Sequence, residues 1–425
     1  MVAILLQFYG VIRVSNIKSA AICVILACAL TISADATTII VSNTNDSGPG
    51  SLRQALSIAN DGDVIDATGI SGVIILTSGE LLVSRSVTIN GAGADLLAVD
   101  GNASSRVFQV TPGRTVTISD LTIRNGHAPA ADGGGILNDA TLTITNCTVS
   151  GNTAGHGGGT FNAGTLTIVN CTISGNTAAI GNPAAEGAGT YNADASTLTI
   201  TNSTFSGNAA ANYGGASFNL GALQIANSTL SGNSSVLFAG GVLNLGTFQI
   251  GNTILNRGDS GVNITNFGTV TSLGYNLSSD DAGGFLTGPS DQINTDPLLG
   301  PLQDNGGPTF THELLPGSPG INAGNPGFTP PPFFDQRGPG FDRVVNSRVD
   351  IGSFEVQEPT LTPTPSVPPT VTPTATPTAT VTPPTTPTAT STPTPTPTPV
   401  STPRPTPSPR FTPPPRSRPT PAPRP

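Results

Sequence analysis

Three fragments of this 425-residue chain carry side chains in combinations that could do chemistry: Asp280-Asp281, Asn294-Thr295-Asp296 and Gly155-His156-Gly157. Two carboxylates on either side of a glycosidic bond can protonate the leaving oxygen and activate a water, which is how most sugar polymers are hydrolysed. A cluster of acids beside an arginine base would instead hold calcium and cleave by elimination. His127 and His156 fall in the turn regions of neighbouring sequence repeats and offer two of the three or four ligands zinc needs. Cys147 and Cys171 are the thiols left once the N-terminal leader is set aside.

None of these sets is complete. Polygalacturonases carry NTD, DD, GHG and RIK fragments in that order; here they run in reverse over about 140 residues, with no RIK. Asp120, Asp132, Asp139, Glu186, Asp194 and Asp259 sit at unmatched repeat positions. No catalytic residue, cofactor or metal ligand is therefore expected. Sugar subsites favour aromatic platforms, and with no Trp and only Tyr191, Tyr213 and Tyr275 after the leader, strong stacking on glycans is not expected either.

The elements that position these residues follow from composition and period. The chain holds 51 Gly, 40 Pro and 32 Asn but only 10% charged residues, which favours short strands and tight turns over long helices. Between Asp46 and Glu358 there are 24 acidic residues against 9 arginines and no lysine, 15 units negative, so nucleic acid is excluded as a partner. TLTITNCTVSGN from Thr141 recurs as TLTIVNCTISGN from Thr165, TLTITNSTFSGN from Thr197, ALQIANSTLSGN from Ala222 and TFQIGNTILNRG from Thr247, after a degenerate copy at Thr115. Each unit also closes alike, as in GGGILN, GGGTFN, GAGTYN, GGASFN and AGGVLN.

Leu142 and Ile144 alternate with threonines, as a strand with one buried face requires, and the phase slips by one at Asn146, so the chain must turn a corner there. A 25-residue unit cannot bury its own apolar face, whereas stacked units share a core. The predicted fold is all-β, a right-handed parallel β-helix with three strands per coil.

Stacking would place asparagines in three columns: Asn146, Asn170, Asn202 and Asn227; Asn152, Asn176, Asn208 and Asn233; and Asn138, Asn162, Asn192, Asn219 and Asn244. Amides one strand spacing apart, ~4.8 Å, can hydrogen-bond along each column. Because the repeat explains sequons such as Asn202-Ser203-Thr204, glycosylation is discounted. Cys147 and Cys171 share one repeat position, as stacked core thiols or as a disulfide; stacking is favoured because neighbouring parallel strands point their side chains the same way.

Five segments result. Residues 1–36 read as a signal peptide, with Arg13 and Lys18 before the apolar run Ala20–Ile32 and small residues at Ala34 and Ala36; a run of 13 residues falls short of the ~20 that span a bilayer. A lipidated Cys28 is the alternative to cleavage near Ala36. Residues 37–114 form an N-terminal cap, with a helix over Ser51–Asn60, and the first coils; 115–275 form the regular coils; 276–358 form the C-terminal end of the β-helix. Residues 359–425, with 25 Pro and 22 Thr, read as a disordered stalk reaching on the order of 200 Å and open to O-glycosylation.

The stretch Thr37 to Leu56, TTIIVSNTNDSGPGSLRQAL, resembles the start of bacterial secreted β-helix proteins with a CSLREA motif, Gly50 standing for Cys and Gln54 for Glu. Further on, Asp296 to Leu302, Asp304 to Thr309, Thr311 to Gly324, Asp335 to Gly338 and Asp350 to Glu355 resemble the choice-of-anchor Q domain of pectin-lyase-like β-helix proteins, with Asn322 for Asp and Ser353 for Ala. The resemblance implies a bacterial extracellular or cell-surface protein and carries over no catalytic residue.

The expected function is a non-catalytic adhesive or structural role, with surface glycans or cell-wall components as partners, no membrane span in the mature chain and a monomeric state. The alternative is a polysaccharide lyase or glycoside hydrolase. The insertion Asn182–Gly187 breaks the repeat, and with it Glu186, Tyr191 and Tyr213 form the expected contact patch.

Overall fold

The computed structural model describes residues 36–178 and 185–357. Residues 1–35, with the expected signal peptide and Cys28, residues 182–184 of the insertion and the Thr-Pro segment lie outside the described residues.

Up to Ser278, strands of two to seven residues recur once per coil and pair in parallel with their counterparts one coil away; beyond it Leu299–Gln303 and Thr311–Leu314 form an antiparallel pair. The first sheet has ten strands in chain order, from Thr38–Ile40 to Thr269–Gly274. Along it Leu142, Leu166, Leu198, Leu223 and Phe248 align, as do Ile144, Ile168, Ile200, Ile225 and Ile250. Every one of these is at most 2% exposed. The period of two sends their side chains inward and the threonines between them outward. Each such side chain contributes roughly 1.5–3 kcal/mol on burial.

The corner after this strand is one residue in left-handed conformation: Asn146 at φ 52°, Asn170 at 53°, Asn202 at 54°, Asn227 at 49° and Asn252 at 50°. Asparagine tolerates this region better than other residues with a Cβ. The single left-handed residue is also what slips the alternation, so that Ile144 before it and Cys147 after it both point into the core.

The second sheet follows, with strands such as Thr148–Ser150 paired to Thr122–Arg124 and Thr172–Ser174. Beyond the predicted three strands, four coils add a short one: His127–Asp132, Thr153–His156, Thr177–Ala178 and Ala209–Ala210. This column joins the second sheet through Thr229–Ser235. The third sheet has eight strands, from Leu81–Val83 to Val262–Asn266. Glycine leads into it because coils approach closely there: a Cβ on Gly135 or Gly159 would sit 2.5 Å from the next coil's carbonyl oxygen.

The asparagines hydrogen-bond along their columns. In the third, Asn138 Nδ2 donates to Asn162 Oδ1 at 2.7 Å, and the chain of bonds continues through Asn192, Asn219 and Asn244 to Asn266. In the second, Asn152, Asn176, Asn208 and Asn233 are linked at 2.8–2.9 Å. The first column is broken. Asn202 donates to Asn170, and Asn170 to Asn146, but Asn202 Oδ1 is buried without a partner and the column resumes with Asn252 donating to Asn227. Cys147 and Cys171 are free and fully buried, with Cys147 N–H 3.4 Å from Cys171 Sγ.

The helix is Leu52–Ile58, shorter than Ser51–Asn60 because Ala59 is extended (ψ 147°) and Asp63 captures the Asn60 N–H. Ser51 caps it by accepting from Gln54 N–H, while Gln54 Oε1 accepts from the N–H of Gly50, one residue before the cap, a variant of the capping box that glutamine serves as glutamate would. Leu52, Ala55 and Leu56 are buried against the first coils.

The opposite end is closed by Ala282 and Leu286, which join the main core. The chain then departs from the expected end piece. Instead of extending the solenoid, residues 309–353 return along its flank and cover the outer side of the second sheet. Thr309 Oγ1 donates to Asn170 O, Thr172 Oγ1 donates to Phe310 O, and Ser353 N–H donates to Thr229 Oγ1. Thr172, Thr204 and Thr229, outward-facing by alternation, end up at most 1% exposed.

Candidate binding face

Glu186 and the short fourth strands bring one outward-facing column together. Asp132 is in register with His156, His156 with Glu186 and Glu186 with Tyr213, one per coil. Beside it, the third sheet aligns Leu137, Phe161, Tyr191, Phe218 and Leu243. The flanking Thr160, Asn162, Thr190 and Asn192 are fully buried, so the alternation turns the aromatic residues outward. Glu186, Tyr191 and Tyr213 of the expected patch thus meet on one surface.

The rings of Phe161 and Tyr191 stack at 4.8 Å and 8°, those of Tyr191 and Phe218 at 5.1 Å and 15°. His156 meets Tyr191 edge-on at 5.3 Å, and its Nδ1 lies 2.8 Å from Asp132 Oδ1. Tyr213 stacks on Phe238 at 5.3 Å, and Phe238 meets Phe267 edge-on at 5.8 Å. Six phenylalanine and tyrosine rings therefore run along this face, four of them phenylalanines that a count of Trp and Tyr leaves out, with Phe218 only 5% exposed. The signal lay in GGGTFN and GGASFN, where phenylalanine occupies the same repeat position as Tyr191.

Near-parallel stacking along the solenoid axis covers the faces of Tyr191 on both sides. The accessible aromatic surface is at the far end, where Phe238 is 42% and Phe267 65% exposed, with the exposed Leu245 beside them. A cleft of about 170 Å³ lies there, lined by Glu186, Tyr213, Phe218, Phe238, Leu243, Leu245 and Phe267. Burial pushes the Glu186 carboxyl above its ordinary range, with the His156 charge opposing. Burial, then the Glu186 and Asp132 charges, push Tyr191 up to about 12, which keeps its hydroxyl protonated at neutral pH.

A larger groove, about 360 Å³, lies near the other end, lined by Asp100, Asn102, Asn125, His127 and Thr153 among others. Its Asp100 carboxylate is already engaged by Arg124 Nε at 2.9 Å, Asn125 Nδ2 at 2.8 Å and Asn102 N–H at 2.9 Å. His127 is in register with Thr153, not with His156, so the two histidines do not share a rung. The tempting acids serve their own turns: Asp280 accepts from Ala282 and Asn263 N–H, Asp281 from Gly283 N–H and Asp296 from Leu298 N–H. Among the described residues no three His, Cys, Asp or Glu side chains come together as a metal site, and no helix is long and apolar enough to cross a membrane.

No curated protein matches the chain. Among solved structures it is similar to the crystal structure of pectate lyase Pel9A, over 76% of this chain and 96% of that one, at 16% sequence identity and a TM-score of 0.38. Residues 71–256 match the family described as Right handed beta helix region, and the fold of this chain is accordingly that of a right-handed parallel β-helix.

Proposed function

We propose that the chain is an exported, non-catalytic surface protein whose β-helix presents the Glu186–Phe267 face for adhesion, with the Thr-Pro segment as its stalk. The observation that carries this reading is that the exposed Phe238, Leu245 and Phe267 line one cleft with Glu186. Contiguous exposed apolar surface rimmed by polar residues marks an interaction site. The acids in the catalytic-looking fragments support the same reading, because backbone N–H groups already occupy Asp280, Asp281 and Asp296.

The test is binding of the full chain to bacterial cell walls and to immobilised surface polysaccharides, with Phe238→Ser and Phe267→Ser as variants. Retention that both variants weaken about tenfold supports the reading; retention indifferent to both assigns adhesion elsewhere. A second reading, a polysaccharide-cleaving enzyme, is favoured by the 2.8 Å Asp132–His156 contact beside the half-buried Glu186.

A further inference from the structure

Resting on that reading, we infer that the cleft between Glu186 and Phe267 binds a polysaccharide chain bearing free amino groups. Three observations converge on this occupant. Glu186 lines an otherwise apolar cleft with its carboxylate half-buried, and the charge that acts on it among the described residues is that of His156. A half-buried carboxylate in apolar surroundings gains from a ligand cation, and an ammonium on a sugar ring supplies one together with hydrogen-bond donors.

The rest of the cleft suits the ring that carries the ammonium. Phe238 and Phe267 meet at 83°, forming a right-angled notch with the 65%-exposed Phe267 as one wall. An aromatic face takes the C–H face of a pyranose, and Leu245 extends the apolar floor. Glu186, Tyr213, Phe238 and Phe267 fall on successive coils, so the site spans three coil rises, roughly 14 Å. That is longer than one sugar ring, so the occupant is a chain and not a monosaccharide.

Net charge sets the sign of the polymer. Between Asp46 and Glu358 the protein carries 24 acids, 9 arginines and no lysine. Such a field repels polyuronates and draws in polycations.

Calorimetric titration of the full chain with glucosamine oligomers, and with their fully N-acetylated counterparts, tests the assignment at a pH where the amines are protonated. The proposal requires the amino form to bind at least about tenfold more tightly, with an affinity that falls as salt rises. Glu186→Gln should remove most of that preference, and Phe267→Ala, at an exposed site, should weaken both forms; thermal melts confirm that each variant is folded. Equal affinity for the two forms, or a preference that survives Glu186→Gln, overturns the amine assignment while leaving the adhesive reading intact. Shortened oligomers after incubation would instead sink the non-catalytic reading on which the proposal rests.

Discussion

Gln336 and Thr204 are 132 residues apart in the chain, yet the threonine hydroxyl donates to Gln336 Oε1 at 2.6 Å. The other end of the same amide donates to Cys171 O, Thr172 Oγ1, Thr309 Oγ1 and Phe310 O at 3.0–3.2 Å. One side chain thereby ties the returning segment to two coils of the solenoid. Gln336→Leu removes these contacts while each partner keeps one other hydrogen bond, and is expected to cost about 1–3 kcal/mol. Hydrogen exchange should show the loss as faster exchange in residues 300–357, with protection of Leu142, Ile144 and their neighbours unchanged.

The asparagine columns are not equal along their length. Asn162 is fully buried and bonded both to Asn138 and to Asn192, so Asn162→Ala should destabilise by roughly 2–4 kcal/mol. Asn202 bonds along the column on one side only, to Asn170, with its Oδ1 unpaired, and glycine keeps the left-handed corner, so Asn202→Gly should cost less, roughly 1–2 kcal/mol. Urea unfolding of the two variants checks the ranking.

Serine should replace either buried cysteine. Cys171 Sγ lies 3.1 Å from Val169 O, and in the next coil Ser203 Oγ makes the same contact with Thr201 O at 2.8 Å. Cys171→Ser is therefore expected to change stability by less than about 1 kcal/mol. Burial holds the Cys171 thiol well above the usual range. A thiol reagent should find no reactive group until the protein is unfolded.

The returning segment should loosen in mild base. Glu355 is fully buried, and burial pushes its carboxyl up to about 8, the Arg343 charge opposing and Asp350 reinforcing. The unfolded group titrates near 4.5. Between those values the folded protein holds a proton that the unfolded chain has released, so this stability is complete below 4.5, falls as pH rises, and is lost above about 8. Each tenfold difference in proton affinity between the folded and unfolded chain is worth about 1.4 kcal/mol, which makes the effect a few kcal/mol. Glu355→Gln, which mimics the protonated form, should flatten the dependence of the melting temperature over that range.

Much of this architecture is legible in the sequence because each coil repeats the same problem. Leu142 and Ile144 reveal an inward face, the slip at Asn146 reveals a corner, and aligned asparagines reveal columns. What escapes has no period. The bonds of Gln336 join distant positions of a non-repeating segment, and nothing in the outward threonines Thr172, Thr204 and Thr229 announces that they are covered. Glu186, Tyr191 and Tyr213 are legible as a break in the repeat. Phe238 and Phe267 are not, because each lies in a turn where the copies have decayed.

The central claim is that the Glu186–Phe267 face binds without cleaving. The most direct measurement incubates the full chain with a broad polysaccharide panel, with and without calcium, and assays new reducing ends and unsaturated products alongside retention on each polymer. The account predicts retention on at least one polymer, lost in Phe267→Ser, with no product from any. Turnover that Asp132→Asn or Glu186→Gln abolishes would contradict it.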